Sequence, residues 1–442
     1  MPALNGEAYN ITGRELDDLL APMPAAAFLS EYWGRKPLLI RGEPGKLHKL
    51  FQGSFDRNDL YQSLATSHEK LDLQAIGPGS QTVDPPPHAK ANIHPEQAEE
   101  MFAAGATISA ENIKHQRVAA FAAALKTQLG HASDVSVFAT LSPGTKGFPA
   151  HVDRTDAFFI QCEGVKRYLI SEEPVISYPR GTISFDQQGQ ADLFQYDVEA
   201  WEDCPSVDMS ALEEVRLEPG DLLYSPAGTV HQTEAMGGYT LNLNLLLYHT
   251  SFVDLLCSVL RSRLEQKPAW RHLPQVTRPQ NLAGELPEEV KGFFAARLRE
   301  ASEVIQALTA DAAELNREWH KLVAAPGEAT LCGLSTAHGE PGKHRMAKPR
   351  DVVQLSQTLP ITCASSVGAD GEPEFYVYCG TSEISVSGEW VPFLRTMLRR
   401  KRFRAQSATT WGEDGKRYPW AEVKEYLDVL IEQGILEYAE SA

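Results

Sequence analysis

The chain has 442 residues and a formal net charge of −18, and its length predicts two or three domains rather than one small core. The composition, 43% hydrophobic and 23% charged, is typical of a soluble globular protein, and the charge disfavours bulk binding to nucleic acid and favours a basic partner. Six scattered cysteines without a CxxC pair argue against a zinc ribbon or disulfide scaffold, and the absence of a signal peptide or long apolar run predicts a cytoplasmic protein without a membrane span.

The first third of the chain predicts helices around short extended segments. Residues 14–33 have helical spacing of apolar residues, interrupted by two prolines, and residues 36–42 indicate a short strand. Residues 72–95 are rich in Pro and Gly and predict a loop. Helices are expected at 95–105 and 117–129.

The pattern changes to short β-type runs between residues 134 and 250. Gly, Pro and Asp turns separate these runs, which predicts an antiparallel sandwich or barrel. Residues 251–330 are again helical and amphipathic, residues 335–350 are typical of a linker, and residues 351–442 mix strands with helices.

Two chemically active residues stand at the head of a strand pattern in "FPAHVDRTDAFFIQCEGVKRYLI". His151 and Asp153 are two positions apart, so a strand would point both side chains to one face, as a hydrogen-bonded pair or as two ligands of one metal. His231 follows the turns of "EPGDLLYSPAGTV" and can begin a facing strand. Two histidines and one carboxylate form the facial triad of non-haem iron oxygenases.

Other candidate metal ligands are weaker. His94 with Glu96 and His338 with Glu340 also form HxE triplets, but both lie in Pro/Gly-rich segments where no strand would align two ligands. A structural zinc would need a closed set of four ligands, which the sequence does not offer.

A cation follows the first two candidate ligands. Lys166 comes after a predicted turn at Glu163-Gly164, so we expect it on the neighbouring strand, where it could hold the far carboxylate of 2-oxoglutarate. A buried ammonium group is costly without such an anion. A solvent-facing strand position is the alternative for this one lysine.

Polar residues alternate with leucine after His231. Thr240, Asn242 and Asn244 share one face of a strand, either lining a ligand-filled interior or facing solvent.

These segments resemble the JmjC-type cupin oxygenases, especially the ribosomal oxygenases that hydroxylate ribosomal proteins. The likeness lies in "FLSEYWGRKPLLIRG", "MFAAGATI", "SPGTKGFPAHVDRTDAFFIQCEGVKRYLI" and "LEPGDLLYSPAGTVHQTEA". It implies an α+β chain: a double-stranded β-helix (jelly roll) with N-terminal helices at 1–250, a helical dimerisation region and linker at 251–345, and a winged-helix-like domain at 346–442.

The resemblance also implies cofactors and roles. His151, Asp153 and His231 match the ligands of a catalytic Fe(II), with 2-oxoglutarate and O2 as co-substrates. Lys166 matches the residue that binds the 2-oxoglutarate carboxylate, and Ser142 falls where a hydroxyl helps to hold it. The chain departs from the family at Val137 and Ala139, where an Asn and a Tyr often line the pocket.

The resemblance leaves the substrate open. An Arg or His of a ribosomal protein is the leading hypothesis, and the negative charge of the chain suits such a basic protein. A peptide natural-product precursor is an alternative substrate. A non-catalytic metal-binding regulator and a lysine demethylase are alternative functions.

The remaining features concern partners. The amphipathic helices of 251–330 favour a homodimer over a simple covering layer. The basic segment "RTMLRRKRFR" at 395–404 is interpreted as an internal salt-bridging surface rather than a nucleic-acid reader, so no nucleic acid is expected as a partner.

Overall fold

The computed structural model of the chain describes most of the sequence. The described residues are 9–65, 73–76, 90–113, 115–144, 147–192, 206–275, 286–310, 313–325, 345–357, 359–367, 371–380 and 382–439.

The helices occur in three groups: one within the first 130 residues, one after the main sheet and one near the C-terminus. They are α1 (Glu15–Leu20), α2 (Ala25–Glu31), α3 (Pro44–Phe51), α4 (Arg57–Ala65), α5 (Ala98–Ala103), α6 (Gln116–Leu129), α7 (Phe252–Leu264), α8 (Glu288–Ala310), α9 (Ala313–Ala324), α10 (Val391–Arg400) and α11 (Trp420–Glu432).

Eight of the eighteen strands in the described residues lie between residues 134 and 250, where the sequence predicts β-type runs. The strands are β1 (Leu38–Ile40), β2 (Leu73–Ile76), β3 (Lys90–Asn92), β4 (Thr107–Glu111), β5 (Val135–Pro143), β6 (His151–Val152), β7 (Asp156–Ile170), β8 (Ile183–Phe185), β9 (Ala191–Asp192), β10 (Glu213–Leu217), β11 (Leu222–Ser225), β12 (His231–Leu247), β13 (Val352–Leu355), β14 (Ile361–Val367), β15 (Pro373–Cys379), β16 (Ser382–Ser387), β17 (Arg402–Arg404) and β18 (Leu436–Tyr438).

The first twelve strands form one antiparallel system with two parts. The larger part has the order β1-β11-β7-β12-β5-β4-β2-β3. The smaller part is formed where β10 joins the second half of β7 and where β6, β8 and β9 extend from the start of β12. Because β7 and β12 belong to both parts, they join them into the predicted jelly roll.

The predicted turn at Glu163-Gly164 is wrong, because β7 runs through it as one strand. Gly164 has a φ of +69°, and a Cβ there would collide with the Tyr239 carbonyl oxygen. The pairing of β7 with β12 shifts register between Met236 and Asn242. The two strands therefore bend together at a bulge, and Lys166 lies on the same strand as Phe159.

The prediction of a loop across residues 72–95 is also wrong where the structure describes it. Strands β2 and β3 pair with each other, and β2 continues the sheet beside β4. Both strands are short, so their formation depends on an existing sheet edge rather than on a strong local pattern.

The hydrophobic core lies between the outer face of the large sheet and the N-terminal helices. Phe28 of α2 packs against Phe158 and Tyr224, and Phe121 of α6 contacts Phe51 of α3. Burial of such rings contributes roughly 2–3 kcal/mol each. Because the helices cover the outer face of the large sheet, the opposite face of its strands forms the interior of the jelly roll.

Helices α7, α8 and α9 follow the barrel, and a mixed unit follows them. That unit has two three-stranded sheets, β17-β13-β18 and β14-β15-β16, together with α10 and α11. Within the described residues, no helix is both long and apolar enough to cross a membrane.

Candidate metal centre

Two histidines face each other where β6 meets β12. His151 opens β6 and His231 opens β12, and the two residues are paired across the strands, with ring centroids 4.1 Å apart. The Asp153 Oδ2 atom lies 3.7 Å from Nε2 of His151 and 3.6 Å from Nε2 of His231. Among the described residues, these three form the one group of histidine, cysteine or carboxylate side chains close enough to hold a metal ion.

The backbone orients both imidazoles for metal binding. Nδ1 of His151 lies 2.8 Å from the Pro149 carbonyl oxygen, and Nδ1 of His231 lies 3.1 Å from that of Thr229. A neutral imidazole that donates from Nδ1 has its free lone pair on Nε2, the atom that faces Asp153. The donor set therefore fits a divalent metal of the kind bound by two histidines and one carboxylate.

The predicted turn after β11 holds the backbone of Asp153, and the hydroxyl of Thr182 holds its carboxylate. Gly228 has a φ of +80°, and its N–H donates to the Asp153 carbonyl oxygen at 2.9 Å. The hydroxyl of Thr182 donates to Asp153 Oδ1 at 3.1 Å, which leaves Oδ2 toward the imidazoles.

Electrostatics favours the metal-binding protonation states. Desolvation alone would raise the pKa of Asp153, but His151, His231 and the Thr182 hydrogen bond hold that pKa below its usual value. Burial lowers the pKa of His231 to about 4, with smaller contributions in the same direction from His151 and Lys166. At neutral pH the centre thus has an ionised carboxylate and an imidazole free to coordinate.

Lys166 is buried on the interior face, so the solvent-facing alternative is excluded. Only 3% of its surface is exposed, and Nζ lies 5.9 Å from the ring centroid of Phe148 and 5.6 Å from that of Tyr168. Burial lowers its pKa to about 7. Throughout the described residues, no carboxylate forms an ion pair with it, so an anionic ligand would meet an uncompensated ammonium group.

The polar stripe of β12 is buried rather than solvent-exposed. Asn242 donates to Gln161 Oε1 at 2.6 Å, and Gln161 donates to Thr240 Oγ1 at 2.9 Å and to the Gly164 carbonyl oxygen at 3.0 Å. Thr240 donates in turn to Asn242 Oδ1 at 3.2 Å. Asn242 therefore supports the bulge of β7 through Gln161. Gln161 is a polar residue between Phe159 and the bulge, and this interruption of an apolar strand was a signal that sequence reasoning missed.

Asn244 has capacity for another partner. Its Nδ2 lies 3.5 Å from Thr140 Oγ1, while its buried Oδ1 has no hydrogen-bond partner among the described residues. Such an unsatisfied atom is uncommon in a folded protein and is suited to a ligand or a water molecule.

Ser142 lies on the interior face of β5. It is fully buried opposite Thr240, and its hydroxyl is 3.3 Å from that of Thr107. The structure therefore places it with the other interior polar groups.

The predicted departure at Val137 and Ala139 is a misreading of register. Both side chains belong to the outer core packed against α6. Phe138 and Thr140, which alternate with them along the strand, belong to the opposite face. Strand β5 is buried on both faces, so alternation of polar and apolar residues could not show which face is interior.

Aromatic rings form the wall beside the histidines. Phe159 lies 5.3 Å from the His231 ring and 5.5 Å from Tyr168, and Phe148 lies 6.3 Å from the His151 ring.

The geometry agrees with the comparison to known protein families. Residues 110–254, which include all three candidate ligands, match the family model described as JmjC domain. This part of the chain is similar to a JmjC domain. The resemblance to this family that the sequence indicated is thereby confirmed.

Relatives extend the likeness beyond this domain. The chain is 25% identical over 307 residues to the uncharacterized protein YxbC of Bacillus subtilis, across 68% of this chain and 90% of YxbC. It is 30% identical over 251 residues to ribosomal oxygenase 1 of Homo sapiens, across 55% of this chain. That match spans 36% of the human protein, about a third of its length.

Solved structures share the fold across almost the whole chain. The ribosomal oxygenase YcfD of Escherichia coli, solved in complex with cobalt and 2-oxoglutarate, has a TM-score of 0.52 and 16% identity. The superposition covers 98% of this chain and 100% of YcfD. The cobalt and succinic acid complex of YcfD gives a TM-score of 0.53. The predicted jelly roll with its surrounding helices is therefore confirmed.

Proposed function

We propose that this chain is an Fe(II)- and 2-oxoglutarate-dependent oxygenase that hydroxylates a side chain of a protein or peptide. The observation that carries this proposal is the pairing of an open His151–Asp153–His231 centre with a buried, unpaired Lys166 on the same interior face. A structural metal site would have no use for an uncompensated cation nearby.

Each residue has a role in this proposal. The two Nε2 atoms and Asp153 would bind iron from one side, and Lys166 would hold the distal carboxylate of 2-oxoglutarate. Iron with 2-oxoglutarate and O2 supplies the oxidising power to insert an oxygen atom into a C–H bond.

Three further interior residues would complete the co-substrate pocket. Ser142 and Asn244 would add hydrogen bonds, the latter through its unsatisfied Oδ1, and Asn242 would position them through the network at the bulge. The walls formed by Phe159 and Tyr168 would exclude water from the reacting centre.

The substrate class follows from the relatives and the charge. Human ribosomal oxygenase 1 and YcfD are named for action on the ribosome, so an Arg or His side chain of a ribosomal protein is the proposed target. The formal charge of −18 favours such a basic protein. Mass spectrometry of ribosomal proteins incubated with the enzyme would detect an added oxygen atom. A peptide natural-product precursor is the competing substrate.

The test of the centre does not depend on a known substrate. Under anaerobic conditions, Fe(II) and then 2-oxoglutarate are added while the visible charge-transfer absorption of the chelate is recorded. We expect the absorption band in the wild type and no band in His231→Ala. In Lys166→Ala the band should appear only at a much higher 2-oxoglutarate concentration. Lys126→Ala is the matched control, because this other buried lysine bonds to the carbonyl oxygen of Leu322 instead of facing the centre.

A clear result would contradict the proposal. Iron-loaded wild type without a band, or a His231→Ala variant with an unchanged band, would leave a non-catalytic metal-binding domain as the better explanation.

We also propose the predicted domain organisation, with boundaries at 1–250, 251–345 and 346–442. The helical region is proposed to form a homodimer because several large apolar side chains are exposed there, including Phe252 at 66% and Leu298 at 70%. The sheet β17-β13-β18 with α10 and α11 is the proposed winged-helix-like unit. A cytoplasmic location remains a prediction.

Light scattering after gel filtration tests the dimer. Leu298→Glu should convert a dimer into a monomer, while Val367→Glu, which changes an equally exposed position in the C-terminal part, should not. A monomeric wild type would contradict this proposal.

A further inference from the structure

The basic segment at residues 395–404 has no part in the proposed oxygenase centre. Six of these ten residues are Arg or Lys, and none is acidic. The structure places them at the end of α10 and on β17. We use the term cationic surface for the exposed Arg and Lys residues between positions 399 and 404: Arg399, Arg400, Lys401, Arg402 and Arg404.

The expected internal salt bridges do not form in the described part of the chain. None of the five side chains has a carboxylate within ion-pair distance there. Other cations in the same C-terminal part do pair: the exposed Arg345 with Asp351 at 2.6 Å, and the partly buried Lys424 with Asp428 at 2.8 Å. The described residues therefore do not support the interpretation of this segment as a salt-bridging surface, which was one argument against nucleic acid.

The backbone presents these charges together. Lys401 has a φ of +60°, which turns the chain sharply from the end of α10 into β17. Arg402 and Arg404 then point to one side, because the intervening Phe403 is buried. Strand β17 is the edge of its sheet, and no other strand of the described residues pairs with its outer side.

Local stability explains only part of this pattern. Cations in the last turn of a helix are favoured by the helix dipole, which accounts for Arg399 and Arg400. Charges also protect an edge strand from pairing with other chains. Neither effect requires five cations within six residues that have no ion-pair partner among the described residues, because like charges repel one another.

We propose that the cationic surface binds the phosphate backbone of nucleic acid. Four of its five members are arginines, whose planar guanidinium groups can form two parallel hydrogen bonds with one phosphate. The intervening apolar residue, Phe403, is buried, so the surface lacks the apolar anchor typical of a docking site for a folded protein. A polyanion is the ligand that would neutralise several adjacent cations at once.

The test uses the full chain without added metal or 2-oxoglutarate, so its outcome is independent of the proposed oxygenase. Fluorescence anisotropy measures binding of labelled single-stranded RNA, duplex RNA and duplex DNA over a range of KCl concentrations. We expect the wild type to bind and its affinity to fall with salt. The triple variant R399Q/R402Q/R404Q should bind at least tenfold more weakly at low salt, and the slope of log Kd against log salt should decrease by about 2–3.

Two controls separate phosphate binding from charge and folding effects. The variant R14Q/R261Q/R299Q removes the same charge from exposed positions elsewhere and should bind within about twofold of the wild type. The variant R399K/R402K/R404K keeps the charge and should retain most of the affinity and the salt slope, which also covers the case in which the glutamine variant fails to fold.

Three outcomes would overturn the proposal. The wild type could fail to bind any nucleic acid at low salt, or both glutamine variants could lose affinity equally. Polyglutamate could also compete as well as RNA, which would identify an acidic protein as the partner. The order of affinities among RNA and DNA probes identifies the nucleic acid.

Discussion

Replacement of Lys166 by methionine should stabilise the protein while it removes co-substrate binding. Lys166 is buried beside two aromatic rings, and among the described residues it has no anionic partner. Met has a similar length and no charge, so Lys166→Met keeps most of the packing and removes the cost of burying an ammonium group.

The size of this effect follows from the pKa. Burial lowers the pKa of Lys166 from 10.5 to about 7, and each pH unit of such a difference corresponds to about 1.4 kcal/mol. The charge therefore destabilises the folded state by up to about 5 kcal/mol, and Lys166→Met should recover a large part of it.

The pH dependence gives the effect a definite sign. Below about pH 7 both the folded and the unfolded states carry the proton on Lys166, so the full cost is present. Between about pH 7 and 10.5 the folded state releases the proton first, and the cost shrinks as pH rises. The advantage of Lys166→Met should thus be greatest at pH 7 and below and should narrow by pH 9.

Thermal unfolding with Mn(II) in place of iron measures both properties. Without 2-oxoglutarate, Lys166→Met should unfold at a higher temperature than the wild type at pH 7. An excess of 2-oxoglutarate of about 100 times Kd should stabilise the wild type by about 2.7 kcal/mol and leave the variant unchanged. A variant less stable than the wild type at pH 7, with a gap that does not change by pH 9, would refute the argument.

The bulge and the metal centre give two further predictions. Gly164→Ala should lower the free energy of unfolding by about 2–4 kcal/mol, because φ is +69° and the new Cβ meets the Tyr239 carbonyl oxygen. Gly105 also has a positive φ but open space around it, so Gly105→Ala should cost less stability in urea unfolding. Equal losses in the two variants would contradict the steric reason. Thr182→Val should weaken Mn(II) binding about tenfold in calorimetric titration by releasing Asp153 from its hydrogen bond, and an unchanged Kd would show that the bond does not orient the carboxylate.

Sequence patterns pointed to the three candidate ligands that the fold brings together, because their signals are local. His151 and Asp153 are two residues apart on an extended chain, and a turn of Pro, Ala and Gly precedes His231. The buried polar stripe of Thr240, Asn242 and Asn244 was visible as alternation with leucine, but its burial was not. Whether this face of β12 is turned to the interior or to solvent depends on the neighbouring strands, so the sequence pattern alone could not decide it.

Sequence reasoning failed where the alternation was broken or hidden. Gly164 looks like a turn residue, yet β12 pairs with β7 on both sides of it, so long-range hydrogen bonds keep one strand continuous through a bulge. On β5 both faces are buried, and Val137 was assigned to the wrong face.

The sequence by itself determined the candidate ligands, the β-rich centre and the helical flanks, because these depend on residue type and short spacing. The tertiary structure decided that Lys166 is buried without a counter-charge in the described part of the chain. It also decided that the cations from Arg399 to Arg404 lack the expected salt bridges there. Whether a charge has a partner depends on residues distant along the chain, so only the folded arrangement can answer it.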